Sequence, residues 1–322
     1  LRDMEAPPCP APMGIRHVIR LGSCDYCLAR IGGRLNEGGL PAKEHGARIR
    51  ADAIERDSQL SEISIDYCPF CEDLFADIQN IVVRILRETE GVEFNTLQMG
   101  YHISKELVEE EDYLRKRFGA RGAPPLKASF AAAVELALKD KMKEIVLVKE
   151  VPDVMILVDS LTLRVKAEVR PVFLYGRYRK MSRDVPQTRW PCRSCKGRKG
   201  GCESCEMTGL QYRHSVQDLV GEPIRQSLEA GDTSFHGMGR EDIDVRCLGR
   251  GRPFVIEVKQ PKKRTLDIEE LLKSIAVGAE GLVEVDELRQ STRPEVARIK
   301  ETKAEKSYRI RFEIEGDPMN QE

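Results

Sequence analysis

The sequence predicts an α+β protein of two or three domains, and three observations lead there. At 322 residues and 36.4 kDa the chain exceeds what one compact core usually organises. Apolar residues recur at helical spacing in some segments and form short strand-length runs in others, in separate blocks. Eight of the ten cysteines fall in four Cys-x-x-Cys pairs, placed in two groups along the chain. A hydrophobic share of 41% is enough for real cores, and no stretch approaches the roughly 20 apolar residues of a bilayer span, so no membrane partner is expected. The N-terminus shows no charged-then-apolar secretory pattern, and a cytoplasmic location follows as the expectation. Opening on Leu1 is what a clipped reading frame would give.

Taken in order, residues 1–14 carry four prolines and are expected as a disordered leader. The first two cysteine pairs lie within 15–71, separated by a charged stretch with helical character around Ala51–Asp57. Leu74, Ile78, Ile81, Val82, Ile85 and Leu86 share a helix face. Gly119–Pro125 (GARGAPP) marks a loop or internal boundary. Leu126–Leu138 is a second apolar-faced helix, and Ile145–Val148 and Val154–Val158 are strands flanking Pro152. Leu163–Tyr175 is a third strand. Beyond residue 210, Asp242–Val245, Phe254–Val258 and Tyr308–Ile314 are strand candidates. Leu266–Val277 is a helix with Thr265 as cap and Asp267, Glu269 and Glu270 in its first turn.

Two residues between cysteines let both thiolates meet one ion from a tight turn, and two such knuckles complete the tetrahedron zinc prefers. Cys192, Cys195, Cys202 and Cys205 lie in PCRSCKGRKGGCESCEMTG, where Gly197, Gly200, Gly201 and Gly209 supply the turns. Cys24 and Cys27 stand 40 residues before Cys68 and Cys71, and each of these pairs lacks any other partner. Thiol redox work is the alternative. Four thiolates leave no open coordination position, so the expectation is two structural zinc ions per chain. Cys9 and Cys247 remain as ordinary buried or tail cysteines.

The net charge of −1, from 52 basic and 53 acidic residues, would by itself argue against a nucleic-acid partner. Locally the picture differs. Residues 170–213 hold eleven Lys/Arg against three acids, a local +8, and residues 240–264 hold eight against four, a local +4. These blocks interleave with Tyr175, Tyr178 and Trp190, which suits a phosphate backbone with bases free to stack. Arg177, Arg179, Lys180, Arg183, Arg189, Arg250, Arg252, Lys262 and Lys263 are the expected RNA-binding residues.

The densest polar cluster is SFHGMGREDIDVRCLGRGRPFVIEVKQPKKR, residues 234–264. Alternation along the strand expected there puts Asp242 and Asp244 on one face. Two chemistries fit. A carboxylate could act as nucleophile or proton acceptor on a nucleotide, with Arg240 filling the stack left by a flipped base. Alternatively, Asp244 with Glu257 and Lys259 forms the Asp…Glu-x-Lys pattern of a Mg²⁺-dependent nuclease.

GREDIDVRCLGRGRPFVIEVKQP resembles the catalytic motif of the archaeal and eukaryotic tRNA pseudouridine synthase family that acts at positions 54 and 55 of the T-arm. Its Gly-Arg-x-Asp core is similar to the active-site motif of the wider pseudouridine synthase superfamily. The resemblance continues upstream through YGRYRKMSRDVPQTRWPCRSCKGRKGGCESCEMTG to the N-terminal cysteine pairs and covers most of residues 20–315. It implies a zinc-containing, THUMP-like accessory RNA-binding domain over 15–190, a zinc knuckle over 191–209, and a catalytic domain with a mixed or antiparallel sheet over 210–322. It assigns Asp242 as the essential aspartate, Arg240 as the base-flipping arginine, and Tyr308, within Lys306-Ser307-Tyr308, as the active-site tyrosine. Asp244 and Glu257 become supporting residues paired with Arg246, Arg250 or Arg252. The implied activity is cofactor-free isomerisation of tRNA uridine by a monomer. The family's catalytic domain continues past its Lys-x-Tyr motif, whereas this chain ends at Glu322, so the domain is expected to be incomplete at its C-terminus. A non-catalytic, zinc-dependent RNA-binding module is the second expectation.

Overall fold

The computed structural model describes residues 12–32, 36, 38–118, 124–303 and 305–313. The chain divides into two compact units between Arg170 and Pro171.

The first unit opens with helices α1 (Pro12–Arg20), α2 (Asp25–Ile31) and α3 (Ala42–Arg56). A Cβ at Gly46 of α3 would lie 1.7 Å from the Asp25 carbonyl oxygen, so the two helices cross this closely only because glycine stands there. Helix α4 (Ile78–Glu88) follows, then β1 (Thr96–His102), α5 (Lys105–Phe118), α6 (Leu126–Lys139), β2 (Val146–Leu147), β3 (Val154–Asp159) and β4 (Val165–Val169). The sheet order is β2-β1-β3-β4, with β1 parallel to both neighbours and β4 antiparallel to β3. Ile78, Ile81, Val82 and Ile85 bury one face of α4, as their spacing predicts, in a core shared with Phe130 and Val134 of α6 and Val154, Ile156 and Val158 of β3. Tyr26 stacks on Phe75 at 4.4 Å, and Phe130 meets Phe75 edge-on at 5.9 Å.

The second unit comprises β5 (Val172–Lys180), α7 (Val216–Ser227), β6 (Asp232–Gly237), β7 (Cys247–Lys259), α8 (Ile268–Ala279), β8 (Val283–Ser291) and α9 (Arg293–Glu301). Its sheet is wholly antiparallel in the order β6-β7-β5-β8. Leu174, Phe254, Ile256 and Val258 share a core with Leu219, Val220 and Ile224 of α7 and Leu271 and Ile275 of α8. The alternate strand positions Phe173 and Val255 pack with Ile299 of α9.

The α+β class is what the chain adopts, but several boundaries move. Residues 12–14 of the expected leader begin α1, and residues 1–11 lie outside the described residues. Leu163–Tyr175 is not one strand: Pro171, which cannot donate to a ladder, stands between β4 and β5, and these belong to different units. Residues 171–190, expected in the accessory region, therefore lie in the second unit. The expected helix from Leu266 starts at Ile268, capped by Asp267 rather than Thr265; the Asp267 carboxylate accepts from the Glu270 amide at 3.0 Å. Asp242–Val245 is a turn, not a strand, and residues 305–313 form no strand. Residues 119–123, within the expected GARGAPP loop, and 314–322 fall outside the described residues. Among the described residues, no helix is long and apolar enough to cross a membrane.

Candidate active site and cysteine centres

The loop joining β6 to β7 carries Gly239-Arg240-Glu241-Asp242. Arg240 and Asp242 are exposed, whereas Glu241 between them is only 7% exposed. Its carboxylate accepts from the Tyr178 hydroxyl at 2.9 and 2.8 Å, and Arg252 Nε stands 2.8 Å away in an ionic contact that lacks hydrogen-bond alignment. Gln187 Nε2 donates to the Tyr178 hydroxyl at 2.9 Å and to the Gly239 carbonyl at 3.0 Å, and Arg252 Nη1 donates to the Met238 carbonyl at 2.8 Å. Burial, then the Glu241 charge, pushes the Tyr178 phenol well above its ordinary range, so it stays a donor. Burial also pushes the Cys247 thiol up, with Glu241 adding to it.

Lys306 Nζ donates to the Arg240 carbonyl at 3.3 Å, which ties the segment carrying Tyr308 to this loop. Tyr308, 61% exposed, borders a cleft of about 410 Å³ together with Tyr175, Arg177, Glu241, Val245 and Arg252. Glu241 and Val245 bracket Asp242, so the aspartate sits on the turn that rims this cleft. Arg240 and Asp242 themselves are not lining residues. Glu241 and Gln187 under this loop were missed by the sequence reading, whose only signal was that a buried acid must have partners, and Tyr178, expected as a stacking aromatic, is instead fully buried as their partner.

The expected RNA-binding residues separate into groups. Arg183, Arg250 and Lys262 are exposed. Arg177 lines the cleft and donates to the Arg250 and Gly251 carbonyls at 2.7 and 2.8 Å. Arg179 pairs with Glu284 and Asp286, Arg189 with Asp218, and Lys263 with Glu229. Two expectations are corrected. Arg252 is held by Glu241 inside the loop's foundation. Lys180, 0% exposed, is the other: its ammonium donates to the carbonyls of Val185, Asp242 and Ile243 at 3.1, 3.0 and 3.1 Å. Lys180 thus presents no charge to a solvent-borne phosphate, while Arg252 lines the cleft with its guanidinium committed to Glu241.

The nuclease constellation does not assemble either. Glu257 pairs in register with Phe173, seven residues along β5 from the Lys180 that holds the Asp242 turn, roughly 23 Å at ~3.3 Å per residue. Glu257 instead faces His236 at 3.4 Å, not Arg246, Arg250 or Arg252, and Lys259 pairs with Asp232 at 3.6 Å.

Both cysteine tetrads come together. The Sγ atoms of Cys24, Cys27, Cys68 and Cys71 lie within 4.8 Å of one another, as do those of Cys192, Cys195, Cys202 and Cys205. Separations of 3.8 Å for Cys24–Cys71 and Cys192–Cys202, 3.9 Å for Cys195–Cys205 and 3.7 Å for Cys202–Cys205 match the edge of about 3.8 Å for a tetrahedron with ~2.3 Å metal–sulfur bonds. They are far too long for disulfides. Hydrogen bonding with Cys24 holds the Cys68 thiol well down and pushes Cys71 well up, because four adjacent thiols cannot all ionise without a counter-charge; a dication supplies one. Backbone amides of Cys202 and Gly209 donate to Cys205 Sγ at 3.2 Å each. In the first tetrad, buried Arg30 reaches Cys27 Sγ at 3.5 Å and the Phe70 carbonyl at 2.8 Å, and pairs with buried Glu111. Glu111 in turn accepts from the Leu126 amide that begins α6.

A family model described as "Pus10, C-terminal" matches residues 173–321, and "Pus10 THUMP domain, archaeal" matches residues 81–159. The chain is 35% identical over 304 residues to the tRNA pseudouridine synthase Pus10 of Methanothermobacter marburgensis, covering 91% of this chain and 71% of that protein. It is 35% identical over 301 residues to that of Halorubrum lacusprofundi, with 91% and 70% covered. With the Archaeoglobus fulgidus protein it shares 34% over 249 residues, 77% and 67% of the two chains. The chain belongs to the Pus10 family of tRNA pseudouridine synthases.

Proposed function

We propose that this chain converts uridine to pseudouridine in the T-arm of tRNA, at position 54, 55 or both, with Asp242 as the essential group. The observation that carries the reading is the exposed Asp242 on a turn anchored from below, at the rim of a cleft that also holds Tyr308. In this reaction the bond between N1 and C1′ breaks, the uracil rotates in place, C5 bonds to C1′, and the C5 proton leaves while N1 takes one up. Asp242 promotes the first step, by attack at the sugar or by removing a sugar proton. Arg240, exposed beside it, fills the stack left by the extruded base. Tyr308 is the acceptor for the C5 proton. No external cofactor enters the balance. Arg183, Arg250 and Lys262 bind backbone phosphate, and the first unit with its THUMP segment adds reach along the tRNA. Zinc in the two tetrads is structural, since four thiolates close its coordination shell.

The test is an Asp242→Asn chain incubated with an unmodified tRNA transcript and mapped for pseudouridine. The expected result is a rate lowered on the order of 1,000-fold with tRNA affinity kept. Pseudouridine formed by Asp242→Asn at the unmodified chain's rate would remove the aspartate from its role. Tight tRNA binding without product in the unmodified chain would favour the binding-module reading.

A further inference from the structure

Lys180 ends β5, the inner strand that pairs with both β7 and β8. At its position the ladder pairs Lys180 with Cys247, and the loop carrying Asp242 passes over this strand end. An ammonium has three N–H donors and no acceptor. Lys180 is fully buried and meets three carbonyl oxygens within 3.1 Å, so all three donors are used. Two of those carbonyls belong to Asp242 and Ile243, in the same turn. A surface lysine burying its charge for packing alone would seek a carboxylate; this one spends itself on the main chain of one short turn. Other bonds complete the hold: Asp184 N donates to the Ile243 carbonyl at 3.0 Å, and Val245 N to that of Asp242 at 3.4 Å. On the N-terminal side, the Glu241 side chain points down to Tyr178 and Arg252, which leaves the next side chain, Asp242, facing outward.

We propose that Lys180 is a positioning residue for pseudouridine formation: its buried ammonium fixes the backbone of the Asp242 turn so that the carboxylate meets the substrate uridine in one orientation. This rests on the assignment of Asp242 above. The role is distinct from RNA binding, for which Lys180 is inaccessible, and from the buried Glu241 anchor, which holds the loop by a side chain one residue earlier. A misplacement of about 1 Å at a reacting group costs on the order of 100-fold in rate. The three carbonyl dipoles take all three N–H donors of the ammonium, so a side chain of similar length without those donors cannot replace it.

The experiment uses the full chain and an unmodified tRNA transcript. It compares single-turnover pseudouridine formation, tRNA Kd and thermal unfolding for the unmodified chain, Lys180→Met, Lys180→Ala and Asp242→Asn. Lys180→Met is expected to lower the single-turnover rate on the order of 100-fold with Kd within about twofold. In Lys180→Ala, added propylammonium, which replaces the deleted atoms with their charge, should restore activity in a saturable way, and 1-propanol should not. Rescue by the cation is a readout that a merely structural role would not give. The proposal is overturned if Lys180→Met keeps the unmodified rate while Asp242→Asn is inactive. It is also overturned if both lysine variants lose rate, affinity and stability together and propylammonium restores nothing. An active Asp242→Asn would instead bring down the underlying assignment, which separates the two failures.

Discussion

Glu295 gathers more partners than any acid near the second unit's last helix. Arg289 donates to it at 3.0 and 2.7 Å, Ser291 at 2.5 Å, and Arg298 pairs with it as well, while the Arg289 guanidinium also lies 4.2 Å over the Tyr175 ring. The Arg289 hydrogen bonds hold the Glu295 carboxyl down at about 2, from an ordinary value of 4.5. A depressed acid contributes its stabilisation above the unfolded value and loses it as pH falls toward the folded one. Because Arg289 and Arg298 are half or more exposed, screening cuts the full linkage value, and Glu295→Gln should cost about 1–2 kcal/mol at pH 7. Urea titrations of both chains from pH 7 downward should show the gap closing between about 4.5 and 2. A constant gap across that window would mean the glutamate acts by packing alone. At this scale the sequence was partly legible: Asp242 stood out through its motif, but Glu241 did not, because burial of one acid and exposure of the next depends on a tyrosine 63 residues away.

The elements that the sequence concealed are those whose form is set by tertiary partners. Asp242–Val245 alternates like a strand, yet Lys180 captures its carbonyls before any neighbouring strand can. Leu163–Tyr175 alternates loosely and then turns apolar, and Pro171 marks where one sheet ends and another begins. The cysteine modules, by contrast, were legible residue by residue, since metal ligation depends on spacing more than on surroundings. Elemental analysis of the native chain should find about two zinc ions, and Cys202→Ser should bring this to about one while leaving the first tetrad loaded. Loss of both ions from that single change would couple the centres in a way their separate ligand sets do not provide. The same variant should leave the Asp242 loop intact, because none of the loop's anchoring bonds comes from the module.

Across the whole molecule the net charge of −1 is a cancellation, and the structure sharpens which cations can still meet a polyanion. Arg179, Arg189 and Lys263 are engaged by acids and Lys180 is enclosed, so Arg183, Arg250 and Lys262 stand out as exposed members of the expected set. Replacing all three with Gln should weaken tRNA binding and flatten the slope of log Kd against log salt by about 2, at roughly 0.7–0.9 per phosphate contact. An unchanged slope would place the phosphate contacts elsewhere. The division between the two units at Pro171 was not legible in composition, which does not record which side of a proline a strand joins.

The two tetrads also differ as cross-links. Metal in the second ties ends separated by the six residues between Cys195 and Cys202, whereas metal in the first closes the 40 residues between Cys27 and Cys68. The entropy removed from the unfolded chain grows as (3/2)RT ln n, so with zinc in both, the first closure is worth about 1.7 kcal/mol more. Arg30 and Glu111 extend that closure to the start of α6, so the first metal would act as a late-forming clasp on most of its unit, the second as a local rivet.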